Sequence, residues 1–193
     1  MSSRAEQKEA TRQRLIVQAV RLVGERGFGQ TRTVDVAKAA RVSHGTVFTH
    51  FPSREDLVLA VAGHIGRKTT DRLHELAGAG RGLDDVLQAH LQCLQENEDA
   101  YRQLVLEAPL LPAEFRATWV GLQSAVSSYV CAAAEAEAAE GRTRALPAHL
   151  VFNTWIGLVH HYLVNKDLFV TEGSVIAAHG PSLTEYFMTL LRT

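Results

Sequence analysis

The run Thr31–Leu57, TRTVDVAKAARVSHGTVFTHFPSREDL, leaves room for few folds. Val36, Ala37 and Ala40 form one small apolar face, which predicts a short helix over about 33–40. Ala39 and Ala40 let a second helix approach closely. Arg41-Val42 is the turn. Glycine is the usual residue where φ must be positive, so Arg41 is expected to bear a backbone cost there, while Val42 plugs the corner. Ser43 is placed to cap a second helix, about 43–50, whose Val47 points inward together with Phe51. Pro52 disfavours helix at Phe51, and Ser53-Arg54-Glu55-Asp56 has the pattern of a capping box that opens a third helix. Two short helices, a tight turn and a third helix make a helix-turn-helix, a shape that sets one helix into a DNA major groove.

The outward side of the second helix carries Ser43, His44, Gly45, Thr46, Thr49 and His50. All are small or hydrogen-bonding. Gly45 lets the backbone come near a phosphate or base edge, Thr46 offers a hydroxyl or a methyl, and His44 and His50 can donate. The charge distribution agrees. The whole chain has a net charge of −1, yet residues 1–53 hold nine Lys/Arg against four Asp/Glu, and residues 54–193 hold eleven against seventeen. Charge clustered on one segment governs nucleic-acid affinity more than the total does.

The segment VDVAKAARVSHGTVFTHFPSREDL resembles the DNA-binding domain of TetR-family transcriptional regulators. Val36-Ala37, Ala40, Val42-Ser43, Gly45-Thr46, His50-Phe51, Ser53, Glu55 and Leu57 fit the family pattern. The upstream run ATRQRLIVQAVRLVGERGFGQT resembles the family's first helix and the turn after it, so the likeness covers about 10–62. It implies a dimeric repressor that binds a palindromic double-stranded DNA operator and is released by a small organic effector. Four positions depart from the pattern. Arg41 replaces the usual turn Gly. Arg32 stands where a small hydroxyl residue is frequent, so capping is expected from Thr31 or Thr33, and Thr31, Thr33, Phe48 and Arg54 join the outward residues of the second helix as expected DNA contacts. Phe48 replaces a Tyr whose phenol bonds a phosphate in the family, which shifts backbone anchoring toward Thr33, Arg54 and the basic Lys8, Arg12 and Arg14. Arg54 replaces a Lys and keeps its charge.

The rest of the chain predicts an all-α protein of about nine helices. Of its 193 residues 46% are apolar and only five are Pro, and Ala and Leu are abundant. A DNA-binding domain over 1–53 is followed by a helical effector-binding and dimerisation domain over 54–193, with a helix at 54–77 shared between them. Further helices are expected at about 10–26, 83–96, 99–107, 113–140, 147–165 and 174–191. Residues 1–9 read as a mobile end, Gly27 as a left-handed cap, Gly78-Ala79-Gly80-Arg81-Gly82 as a break, and Pro181 as the point where the last helix kinks or splits. An effector lining of apolar walls and polar tips is expected from Leu87, His90, Leu94, Tyr101, Leu104, Phe115, Trp119, Leu122, Trp155 and His160, although core packing accounts for each equally well. The last two helices are apolar all round. They suggest a four-helix dimer interface from Phe152, Ile156, Val159, Leu163, Ile176, His179, Leu183, Tyr186, Phe187 and Leu190.

Other function classes find less support. There is no Ser-His-Asp grouping, nucleophile elbow, phosphate loop or zinc motif, so neither catalysis nor a cofactor is expected. Neighbouring helical residues point about 100° apart, so His160 and His161 do not share a ligand readily. A metal- or redox-responsive regulator using His90, His160, Cys93 and Cys131 is one alternative, and a helical enzyme or lipid carrier with a vestigial helix-turn-helix is another. With no signal peptide and no apolar run of about 18 residues, a cytoplasmic protein without a membrane partner is expected.

Overall fold

The computed structural model describes residues 3–77 and 82–192. Among them are ten α-helices, nine of seven or more residues. They are α1 (Arg4–Gln30), α2 (Thr33–Ala40), α3 (His44–His50), α4 (Arg54–Ala77), α5 (Leu83–Gln95), α6 (Glu98–Glu107), α7 (Ala113–Ala139), α8 (Ala148–Val164), α9 (Lys166–Phe169) and α10 (Val175–Leu191). A 3-10 turn, Ala108–Leu110, follows α6. The all-α expectation holds. Of the expected break after α4, positions 78–81 lie outside the described residues.

Two compact units emerge. The first holds Met1–Gly66 and Asp99–Thr118; the second holds Arg67–Glu98 and Trp119–Thr193. In the first unit α1 packs on α2 and α2 on α3, around Leu15, Ile16, Phe28, Val36, Val47, Phe51 and Leu57, each at most 4% exposed. In the second, α10 packs against α5 and α8, around Leu87, Leu94, Trp155, Val159, Leu163 and Phe187, all at 0%.

Several boundaries differ from expectation for local reasons. α1 starts at Arg4 rather than near Ala10, because Ser3 and Glu6 form a capping box: the Ser3 amide donates to Glu6 Oε2 at 2.8 Å and the Glu6 amide to Ser3 Oγ at 3.2 Å. Gly27 has positive φ as expected, but at φ 83, ψ 169 it interrupts the helix and is not a left-handed cap. Neither Thr31 nor Thr33 caps α2, whose cap residue Arg32 makes no side-chain bond. Pro181 does not split α10, which runs unbroken from Val175 to Leu191. The short α9 was not foreseen.

Three glutamates tie distant pieces of chain together. Glu98 is 5% exposed. Its carboxylate accepts the amides of Val175 at 3.0 Å and Ile176 at 3.1 Å and the Ser174 hydroxyl, capping α10, and pairs with Lys166 at 2.9 Å. Glu137 accepts the Leu83 amide at 2.8 Å and so caps α5. Glu107, on α6, accepts the Phe28 amide at 2.7 Å and the Gly29 amide at 2.8 Å, holding the turn after Gly27. These carboxylates sit where helix starts or a turn leave amides without partners.

Candidate nucleic-acid interface

The helix-turn-helix is built as its residues imply. Arg41 adopts the left-handed conformation at φ 56, ψ 47, and is the one non-glycine residue with positive φ among those described. Its amide and that of Val42 close the turn onto Lys38 and Ala37. Ser43 caps α3 by accepting the Thr46 amide at 3.1 Å, and its Oγ lies 2.8 Å from Thr46 Oγ1. The Ser53–Asp56 capping box opens α4, with reciprocal bonds of 2.9 and 3.0 Å.

Residues of α3 and its cap present an ordered polar surface. Ser43, His44, Gly45, Phe48 and Thr49 are exposed, and Thr46 is half-buried. His44 Nε2 lies 2.9 Å from Thr33 Oγ1, which ties the start of α3 to the start of α2. The His44 ring meets Phe48 edge-on at 5.0 Å. Phe48 stays 43% exposed although it is a large apolar ring. Thr49 donates to the Gly45 carbonyl at 3.1 Å, which leaves its methyl for outside contacts. A Cβ added at Gly45 would meet no atom closer than Ser43 Oγ at 3.8 Å. Packing within the chain therefore does not require glycine there, and its φ is not positive.

Three expected contact residues are placed differently. Thr31 is 7% exposed and spends its hydroxyl on the Gly27 carbonyl at 2.7 Å, so it faces the core. Arg54 is exposed, but its guanidinium donates to the Phe28 carbonyl at 2.6 Å. It grips from the carbonyl side the same turn that Glu107 holds by its amides. His50 is half-buried and its Nδ1 is enclosed without a partner. Desolvation, then the charges of Lys8 and Arg12, hold its pKa below the ordinary histidine value. His50 therefore belongs to a junction with α1, where Arg12 also lies over the Phe51 ring at 5.2 Å. Lys8 and Arg12 are thereby brought to the end of α3.

The expected effector residues do not form one group. Tyr101, Leu104 and Phe115 are core residues of the first unit, each 1% exposed. Leu87, His90, Leu94, Trp119, Leu122, Trp155 and His160 fall in the second. There the Trp155 indole donates to His90 Nδ1 at 3.1 Å, which fixes the proton on Nε2. That Nε2 is buried and has no partner. Burial, then the neighbouring His160, lowers the His90 pKa to about 3, and burial lowers that of His160 to about 4. His160 also lies beside the Trp119 ring at 6.0 Å. The two cavities described in the second unit are lined by other residues.

The expected dimer residues also need correction. Val159, Leu163 and Phe187 are 0% exposed, and Ile176, Leu183 and Ile156 no more than 8%. They fill the core of their own chain and have no surface to offer a second copy. His179 is held within the chain, its Nε2 3.3 Å from the Phe169 carbonyl and its ring 5.3 Å from Tyr162. Tyr186 is 57% exposed, and Phe152 and Leu190 are half-buried, so these three keep surface for a second copy. Sequence periodicity finds an apolar helix but not which side its own chain covers. Among the described residues no three His, Cys, Asp or Glu side chains converge. Cys93 is buried and its thiol is pushed up to about 11, chiefly by desolvation.

The comparisons agree with this architecture. The family profile described as bacterial regulatory proteins, tetR family, matches residues 15–61. An HTH-type transcriptional repressor of Mycobacterium tuberculosis is 44% identical over 69 residues, which are 34% of this chain and 37% of that protein. A TetR-family regulator from Agrobacterium tumefaciens superposes with a TM-score of 0.79 at 16% identity, covering 96% of this chain and 100% of that one. The regulator FadR of Bacillus subtilis, solved with stearoyl-CoA, gives a TM-score of 0.72 at 17% identity, covering 92% and 97%. Residues 15–61 thus match the tetR-family profile, and the fold is that of TetR-family structures over nearly the whole chain.

Proposed function

We propose that this protein is a homodimeric transcriptional repressor whose α3 reads a palindromic DNA operator, and that a small apolar or amphipathic effector releases it. The observation that carries the reading is the α3 surface. Gly45 is open where packing does not require it, beside an exposed Phe48 and a pre-ordered His44–Thr33 pair. A groove partner uses that space: the backbone at 45 can approach a phosphate, and His44, Thr46 and Thr49 face base edges. The Tyr-to-Phe change at 48 leaves backbone anchoring to Thr33, Lys8 and Arg12.

A second copy is assigned to the outer sides of α8 and α10. Leu150 (49% exposed) and Tyr186 (57%) stand there, among exposed Gly157, Ala178 and Ser182. Small residues permit close helix approach around two large apolar anchors. For the effector, the unpaired Nε2–H of His90, beside His160, is a polar tip in a largely apolar core, suited to a carbonyl or carboxylate oxygen on an apolar body. FadR's stearoyl-CoA is an amphipathic ligand of this kind. Release then follows from unequal affinity of the effector for two states of the dimer.

Selection from randomised duplexes tests the reading. We expect an enriched palindrome whose half-sites lie about 34 Å apart, one helical turn. Recovery of no enriched sequence would overturn it.

A further inference from the structure

The second unit carries a groove apart from the α3 surface and the His90 region. α10 packs along α5, and at the crossing a Cβ on Gly180 would stand 3.1 Å from Leu91 Cδ1. Beside this contact lies a cavity of about 660 Å³, a size that suits a small molecule. Leu91, Ile176 and Met188 give it an apolar floor, and Asp84, Glu185 and Thr184 line it with polar atoms.

Thr184 is the telling group. It is 3% exposed, and its Oγ1 is buried without a hydrogen-bond partner. A threonine inside a helix ordinarily gives its hydroxyl to the carbonyl four residues back, here that of Gly180, and this one does not. The neighbouring backbone adds an acceptor. Pro181 has no N–H, so the Ala177 carbonyl lacks its usual donor, and both residues line the groove. The charges point the same way: Asp84 and Glu185 outnumber the single guanidinium of Arg192. Asp84 already accepts a bond from Gln88 at 2.5 Å. Gln88, Gln92 and Gln95 also line the groove and can donate or accept, so the excess of negative charge, with a buried hydroxyl without a partner and an apolar floor, is what matches an occupant with positive charge and a hydrocarbon body.

We propose that the α5–α10 groove binds a small amphipathic organic cation, an amine carrying an aryl or alkyl group. The ammonium sits toward Glu185 and the Thr184 hydroxyl, and the hydrocarbon lies on Leu91 and Met188. This site is independent of the DNA-binding reading and of the His90 region.

Titration calorimetry of the full chain with phenethylamine tests it, with phenylacetate and 2-phenylethanol as anionic and neutral controls of the same shape. We expect saturable binding of the amine at one per chain, and weaker or absent binding of both controls. Glu185→Gln should weaken the amine about threefold to fivefold, and Thr184→Val about threefold to tenfold. Ala177→Trp, at an exposed position, should block it. Circular dichroism confirms that each variant is folded, and Glu185→Gln keeps the test valid if Thr184→Val is not. The proposal is overturned by no saturation up to about 10 mM amine, by equal binding of phenylacetate, or by full affinity in Glu185→Gln. A change of oligomeric state in Ala177→Trp without amine binding by the parent protein would instead give the groove to a second copy, and likewise overturns it.

Discussion

Removing the Glu107 carboxylate should loosen the turn that leads into the helix-turn-helix. Its two oxygens accept the Phe28 amide at 2.7 Å and the Gly29 amide at 2.8 Å. Hydrogen bonds to a charged group contribute about 1.5–3 kcal/mol each, and exposed ones less. The Phe28 bond is part-buried and the Gly29 bond exposed, so Glu107→Ala should cost about 2–4 kcal/mol in all. Against a total stability of about 5–15 kcal/mol that is a large fraction. With a urea slope of about 2–3 kcal/mol per molar, the unfolding midpoint should fall by roughly 1 M. Glu107→Gln should lose about half as much, because one acceptor oxygen survives while its amide nitrogen confronts a second N–H. Hydrogen exchange should quicken at Phe28 and Gly29 in both variants. Arg54 donates to the Phe28 carbonyl of the same turn at 2.6 Å, so a double-mutant cycle of Glu107 and Arg54 should show coupling above about 0.5 kcal/mol. A Glu107→Ala midpoint equal to that of the parent protein, with unchanged exchange at both amides, would refute the clamp.

Three further outcomes follow from local geometry. Arg41→Gly should stabilise the protein by about 0.5–1 kcal/mol, because the left-handed backbone at φ 56 costs Arg more than Gly; a lower thermal midpoint would contradict this. Stability should fall with acidity below pH 6.5. The unfolded chain takes up protons on His90 and His160 near that value, whereas the folded chain resists until about 3 and 4. For buried His90 the loss from pH 6.5 to 5 is about 2 kcal/mol. His90→Gln should flatten the urea midpoint against pH, and an unchanged slope would remove His90 from the account. Finally, Tyr186→Glu should shift sedimentation toward monomer at micromolar concentration, whereas an unchanged dimer would move the interface off this face of α10.

The short-range features were legible in the sequence because the residues that make them are adjacent. The Ser43 cap, the strained Arg41 turn, the Ser53–Asp56 box and the 54–77 helix each follow from a few neighbouring side chains. What the sequence hid is long-range and one-sided. Glu98, Glu107 and Glu137 read as ordinary surface acids, yet each finds its amides 54 to 79 residues away. Arg54 looked like a phosphate contact until the Phe28 carbonyl came within reach. Thr31 and His50 carry the right chemistry for DNA but are drawn inward by α1. Several of the dimer candidates turn inward for a related reason. α8 and α10 bury Val159, Leu163 and Phe187 within their own chain, and an all-apolar helix does not announce which of its sides is already covered.

The claim that α3 reads DNA meets its most direct test at Gly45. A methyl there meets no atom of the chain closer than 3.8 Å, and alanine favours helix over glycine by about 1 kcal/mol. Gly45→Ala should therefore keep or raise the thermal midpoint. If the backbone at 45 approaches DNA, the same methyl intrudes into the contact. Fluorescence anisotropy on the selected operator should then show affinity reduced by about tenfold or more, equivalent to about 1.4 kcal/mol. A stable Gly45→Ala protein that binds the operator as tightly as the parent would contradict the assignment of α3 as the reading helix.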